Sequence, residues 1–167
     1  NYALSSRIKS NPLRFFIAGK ETIFNICQFI KGVKKGNSAY ISPNFSYDIF
    51  SYSIGSLLSQ VLLMSNAQGL FRESKLFIFC GGSLLSKMNG NSKLIMDKNS
   101  YERLDSFYKN DFIDLYGRGV IEHDAVNDAF VSHINEDLGR DKRANFYKEN
   151  YNRIKVIALA KDSVISI

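Results

Sequence analysis

Two hydroxyl- and carboxylate-bearing positions stand out for their setting. The first is Ser53, within Ser51-Tyr52-Ser53-Ile54-Gly55. A strand-like run, residues 47–52, precedes it, and a strongly apolar helical run follows. A serine on such a turn projects its hydroxyl at a helix N-terminus. There the macrodipole and free amides favour developing negative charge, as a nucleophilic oxygen requires. Small residues should flank it where the backbone turns sharply; Gly55 meets that need on one side and Ser51 on the other. The same pattern suits an ordinary strand–helix connection in which Ser53 only caps the helix. The second position is Asp162, in Lys161-Asp162-Ser163-Val164-Ile165, just past a β-branched run at residues 154–160. A turn aspartate after a strand has the same appearance.

Taken together, these segments resemble the α/β-hydrolases. Residues 51–55 are similar to the G-x-S-x-G nucleophile elbow of that family, with Ser51 in place of the first glycine. Asp162 looks like the family's triad acid, and the order serine then acid also agrees. The resemblance implies that Ser53 attacks an acyl carbonyl and that Asp162 orients a histidine base. It further implies that the Ile54 N–H provides one oxyanion donor. The family's second donor loop is not identifiable. Its histidine should follow the acid, but the sequence given ends at Ile167, and 52 residues before the elbow are too few for the family's early strands. The expectation is a serine hydrolase of the ester or other acyl class, represented by an incomplete chain inactive alone. The alternative is a non-catalytic interaction protein of the same fold. Acyl transfer shares the elbow with hydrolysis. A nucleotide binder fits less well, because no glycine-rich phosphate loop follows any strand.

The fold class expected is α/β, a parallel sheet with helices on both faces and strands near residues 46–52, 75–80 and 154–160. Residues 1–167 form a single domain in this reading. Residues 81–153 are too long for one crossover and read as a helical insertion, a cap that should bring Phe107, Tyr108 or Phe130 near Ser53. Glu21 to Lys35 reads as a helix, and residues 13–18 as a strand or the approach to a helix. Within the insertion, Tyr101, Leu104, Tyr108 and Leu115 keep helical spacing behind a capping pair at Asn99 and Glu102. Val126, Ala129, Phe130, His133 and Ile134 form a further stripe that Gly139 should stop. His133 reads as a core histidine more readily than as a pocket group, and His123 as exposed; both precede Asp162, the wrong order for the family's base.

The chain has 167 residues, 45% hydrophobic and 23% charged, with a net charge of +6. That suits a globular domain with a core. The basic residues fall into short groups, Lys31, Lys34 and Lys35, and Arg140, Lys142 and Arg143, without an aromatic-interleaved stripe. Nucleic-acid binding is therefore not expected, nor is a membrane span. Cys27 and Cys80 read as buried thiols, and neither a metal site nor a cofactor is expected. A small acyl substrate is the expected partner, and an exposed sheet edge is the candidate surface for homo-oligomerisation. The first residue is Asn1, so a leader would not be visible; the expected location is the cytoplasm.

Overall fold

Three short runs of aromatic and β-branched residues pair as one parallel sheet. They are β1 (Ile49–Tyr52), β2 (Leu76–Phe79) and β3 (Ile154–Ile157), in that spatial order. The computed structural model describes residues 2–82, 84–91, 95–162 and 164–165. Ser83 and Ser163, which adjoin the Gly-Gly turn and Asp162, lie outside them. Ile49, Leu76 and Ile154 share the first row of the sheet; Tyr52, Phe79 and Ile157 share the last. Because the strands are parallel, all three C-terminal ends meet at one edge.

Two helices precede the sheet, α1 (Tyr2–Ser10) and α2 (Leu13–Lys34). The apolar residues 13–18 thus open a long helix and do not form a strand. Its buried stripe, Phe16, Ile23, Cys27, Ile30 and Val33, keeps helical spacing throughout. The crossover from β1 to β2 is α3 (Gly55–Ser65), whose buried residues run almost all round it. Residues between β2 and β3 carry α4 (Lys98–Lys109), α5 (Asp111–Gly117), α6 (Ala125–Val131) and α7 (Arg140–Glu149). The cap of α4 is Asp97, which accepts the Ser100 N–H at 3.0 Å, and not the Asn99–Glu102 pair. Gly139 does not stop α6. It stands before α7 in the left-handed region, at φ 60°.

Helices on both faces of the sheet were expected; among the described residues only one face is covered. There α3 lies on β1 and β2. The other face carries Phe50 stacked on Phe77 (ring centroids 5.6 Å apart) and Tyr52 stacked on Phe79 (6.1 Å). Phe50 and Tyr52 are 68% and 62% exposed. The cause is the packing of the long insertion, which gathers around the first three helices: α4 sits on α1, and α6 sits on α3.

An aromatic cluster joins the insertion to α2. Phe16, Tyr108, Phe112 and Phe130 meet edge-on or tilted, with centroids 5.0 to 5.8 Å apart. Each such pair adds about 0.5–1.5 kcal/mol beyond area burial. The Tyr108 hydroxyl donates to the Pro12 carbonyl and accepts the Phe16 N–H, both at 3.0 Å. It stands between two groups that an unbroken helix would join directly.

The tightest backbone approach in the core lies at Gly81. A Cβ there would sit 1.8 Å from Ser56 Oγ and 2.2 Å from its Cβ, whereas a Cβ on Gly55 would meet nothing within 4 Å. The small residue that the strand–helix turn needs is therefore Gly81, and not Gly55. Gly81→Ala is expected to destabilise by about 2–3 kcal/mol, as overpacking in a rigid site does. Gly55→Ala should stabilise by about 0.5 kcal/mol, because alanine loses less entropy in a helix. Urea melts of the two variants check the contrast, and equal midpoints would refute it.

Candidate active site at the C-terminal sheet edge

Between Tyr52 and α3 the chain must pass from extended to helical in two residues. Ser53 makes the turn with φ 52°, in the left-handed region. For a residue with a Cβ this costs about 1–2 kcal/mol. Two hydrogen bonds hold it: Ser53 N–H donates to Phe79 O at 3.3 Å, and Ser56 N–H donates to Ser53 O at 3.0 Å. The alternative role, a helix cap, does not fit. A capping serine has extended angles and accepts an N–H from the first turn. Ile54 occupies the cap position instead, with φ −61° and no side-chain bond.

Among the described residues, two of the surrounding serine hydroxyls are engaged, and that of Ser56 is not. Ser51 donates to Phe77 O at 3.4 Å and Ser59 to Ser56 O at 3.0 Å, while the Ser53 hydroxyl has no such partner among the described residues. It is half-buried and lines a cavity of about 320 Å³ walled by Leu85, Met88, Met96, Leu104 and Ile165, among others. Ser56 and Leu57 amides close the first turn of α3 onto the carbonyls of Ser53 and Ile54. The amides of Ile54 and Gly55 have no carbonyl partner among the described residues, as expected of a helix start.

Asp162 follows β3 at the same sheet edge. Its Oδ1 accepts two backbone amides, Val164 N–H at 2.8 Å and Ile165 N–H at 3.0 Å. Those two bonds, the Ile165 one first, hold its carboxyl below the usual carboxylate range. Val164 and Ile165 line the Ser53 cavity. The carboxylate thus stands one hydrogen bond behind the cavity wall, and no hydrogen bond joins it to Ser53 among the described residues.

Neither histidine completes the arrangement. His133 is fully buried. Its Nδ1 lies 2.7 Å from Ala129 O, and its Nε2 lies 3.3 Å from the Tyr147 hydroxyl. That hydroxyl donates to Gln60 Oε1, and Gln60 Nε2 donates to Ser56 O at 2.8 Å and Gly82 O at 2.9 Å. His123 is exposed and packs on the Tyr116 ring, 4.2 Å between centroids. Neither lines the cavity.

The aromatic residues expected beside Ser53 lie elsewhere. Phe107, Tyr108 and Phe130 belong to the core against α2, because the apolar stripe of α4 turns that way. Sequence reasoning missed the aliphatic wall, although the signal was present: Leu85 and Met88 follow closely on the Gly-Gly turn. Gln60 and Tyr147 carried no signal, since their meeting depends on the packing of α7 on α3. The basic group at Arg143 is spent on structure. Its guanidinium donates to the carbonyls of Ser132, Asn135, Glu136 and Leu138.

Fold and site together define a mixed α/β protein with a small parallel sheet and a strained serine at its C-terminal edge. The chain belongs to DUF6051, a family of unknown function whose model matches residues 1–167. No curated protein and no solved structure matches it. Among the described residues, no helix is long and apolar enough to cross a membrane.

Two measurements test this geometry. Ser53→Gly should stabilise the fold by about 1 kcal/mol and Ser53→Ala should not, because only glycine relieves the left-handed strain. A Ser53→Gly variant less stable than wild type would remove the strain argument. The second concerns pH. Burial lowers the His133 pKa from 6.5 to about 4. The unfolded chain then binds a proton that the folded chain refuses. Stability should be complete above pH 6.5 and decline as the pH falls toward 4, by about 3 kcal/mol in all. His133→Gln should flatten that limb of the stability–pH curve; an unchanged slope would count against it.

Proposed function

We propose that the protein is a serine hydrolase of the α/β-hydrolase type acting on an ester or other acyl substrate. Ser53 is the nucleophile, the Ile54 N–H an oxyanion donor, and Asp162 the carboxylate that orients the base. The observation that carries this reading is the Ser53 turn: a left-handed serine between a parallel strand and a helix, its hydroxyl on a cavity.

Each role follows from position. The Ser53 oxygen attacks the acyl carbonyl as its proton passes to a base. The carbonyl oxygen gains negative charge at the start of α3, where open amides and the helix dipole favour it. The tetrahedral species expels the alcohol, which takes up the proton, and leaves the acyl group on Ser53. Water then attacks the acyl carbon and frees the serine. Asp162 keeps its charge throughout, because two amides hold Oδ1; among the described residues Oδ2 has no partner and can accept an imidazole N–H. The reading requires a base at Ser53 that neither His123 nor His133 supplies in this arrangement.

That last observation favours a second reading, a non-catalytic interaction protein that keeps the elbow geometry. Treating the natural protein with a fluorophosphonate separates the two. Under the hydrolase reading wild type is labelled and Ser53→Ala is not. Labelling that survives the substitution assigns another nucleophile, and absence of labelling in both supports the non-catalytic protein.

A further inference from the structure

The cavity at Ser53 has a composition that selects its occupant. Its wall is mostly aliphatic, with Leu85, Met88, Ile95, Met96, Leu104 and Ile165 among its residues. The polar side chains besides Ser53 are already engaged. Tyr101 donates its hydroxyl to Met88 O at 2.7 Å, and Asp105 pairs with Lys109 at 2.6 Å. Among the described residues nothing in this wall is left to recognise a polar or charged tail, and a polar group placed against them would lose its water without compensation. The two methionines can adjust to a flexible chain.

Size narrows the choice. The volume is about 320 Å³. A methylene needs about the ~30 Å³ that a water molecule takes in the liquid, so the cavity holds roughly ten of them. Access is apolar as well. Leu4, Ile8, Phe15 and Ile54 line both this cavity and a larger groove of about 840 Å³ between α1, α2 and α3. A chain can therefore pass along this apolar stretch to Ser53, from a groove whose lining also includes Arg7, Arg14, Lys20 and Glu21.

We infer that the cavity binds the unbranched aliphatic chain of a medium-length acyl group, about ten carbons long, with its carbonyl at Ser53. This rests on the reading of Ser53 as nucleophile, and it names the substrate class for that site. A peptide, a sugar ester or an acetyl ester would leave the wall unfilled or bury polar groups against it.

The test has a binding arm and a labelling arm. In the first, decanoate is titrated into the protein while the methyl resonances of Met88 and Met96 are followed by NMR. A saturable shift of both is expected, with butyrate weaker by about a hundredfold or more for want of six methylenes. Met96→Trp, which fills the cavity, should weaken decanoate by a similar factor; Leu85→Phe serves if that variant does not fold. In the second arm, ethyl and decyl fluorophosphonates compete for Ser53 in the natural protein, and the decyl probe should react about tenfold faster. Absence of a saturable decanoate shift overturns the inference whatever the labelling shows. Equal rates for the two probes, with labelling dependent on Ser53, overturn it while leaving the nucleophile in place. Decanoate binding without Ser53-dependent labelling sustains the chain site and overturns the nucleophile reading.

Discussion

The contact between Ser56 and Gly81 sets the geometry on which the edge of the sheet depends. With no side chain at Gly81, the first turn of α3 comes down onto the loop after β2. That approach brings Gln60, one turn further along α3, to the carbonyl of Gly82, while Ser53 N–H reaches Phe79 O across the strand ends. Each bond contributes on the order of 1 kcal/mol. Together they exceed the cost of holding Ser53 left-handed, which is how a strained residue persists in a folded chain. The close approach has its own cost. The Ser56 hydroxyl is buried without a partner among the described residues.

From Gln60 the constraint spreads outward. Its carbonyl oxygen takes the Tyr147 hydroxyl from α7, and that hydroxyl faces His133 just past α6. The chain of polar groups passes through an interior where an unpaired member would cost about 1–3 kcal/mol. It therefore fixes how α6 and α7 sit on α3. It also explains why His133 does not act as a base at Ser53. Both ring nitrogens face partners, and burial keeps the ring neutral well below neutral pH. Turning the imidazole toward the cavity would give up its contacts with Tyr147 and the Ala129 carbonyl.

Much of this architecture was legible in the sequence, and the failures share a cause. The three strands, the long second helix and the turn at Ser53 are local matters, written in β-branched runs, helical periodicity and the Ser-x-Ser-x-Gly spacing. Cys27 and His133 were also legible as core residues, from the apolar stripes they share. What failed depended on contacts between distant segments. Gly55 looked like the glycine required by the turn, yet the residue met by α3 is Gly81, 26 positions on. Phe107, Tyr108 and Phe130 looked suited to a lid, but periodicity gives a stripe without saying which neighbour it faces. The sheet faces were likewise unreadable: Phe50, Tyr52, Phe77 and Phe79 are as apolar as any buried strand positions, and only the packing of the insertion leaves the first two exposed and the others half-buried.

The left-handed turn itself is not special to Ser53. Cys80, which follows β2 in the same row of the sheet, has φ 49°, and its N–H donates to Ile157 O at 2.9 Å, as Ser53 donates to Phe79 O. Both strands thus end in the same way, each tied to the last residue of the next. The turn is a property of this sheet edge, and strain alone would not single out a nucleophile. What separates the two positions is access. The Cys80 side chain is buried, and the cavity does not reach it; Ser53 is half-buried and lines the cavity beside Ile54. Open amides at the start of α3 lie next to Ser53, whereas Cys80 leads into the Gly81–Gly82 loop packed on Ser56 and Ile165. The edge supplies the conformation twice; only at Ser53 does it coincide with a helix start, a cavity and a hydroxyl unengaged among the described residues.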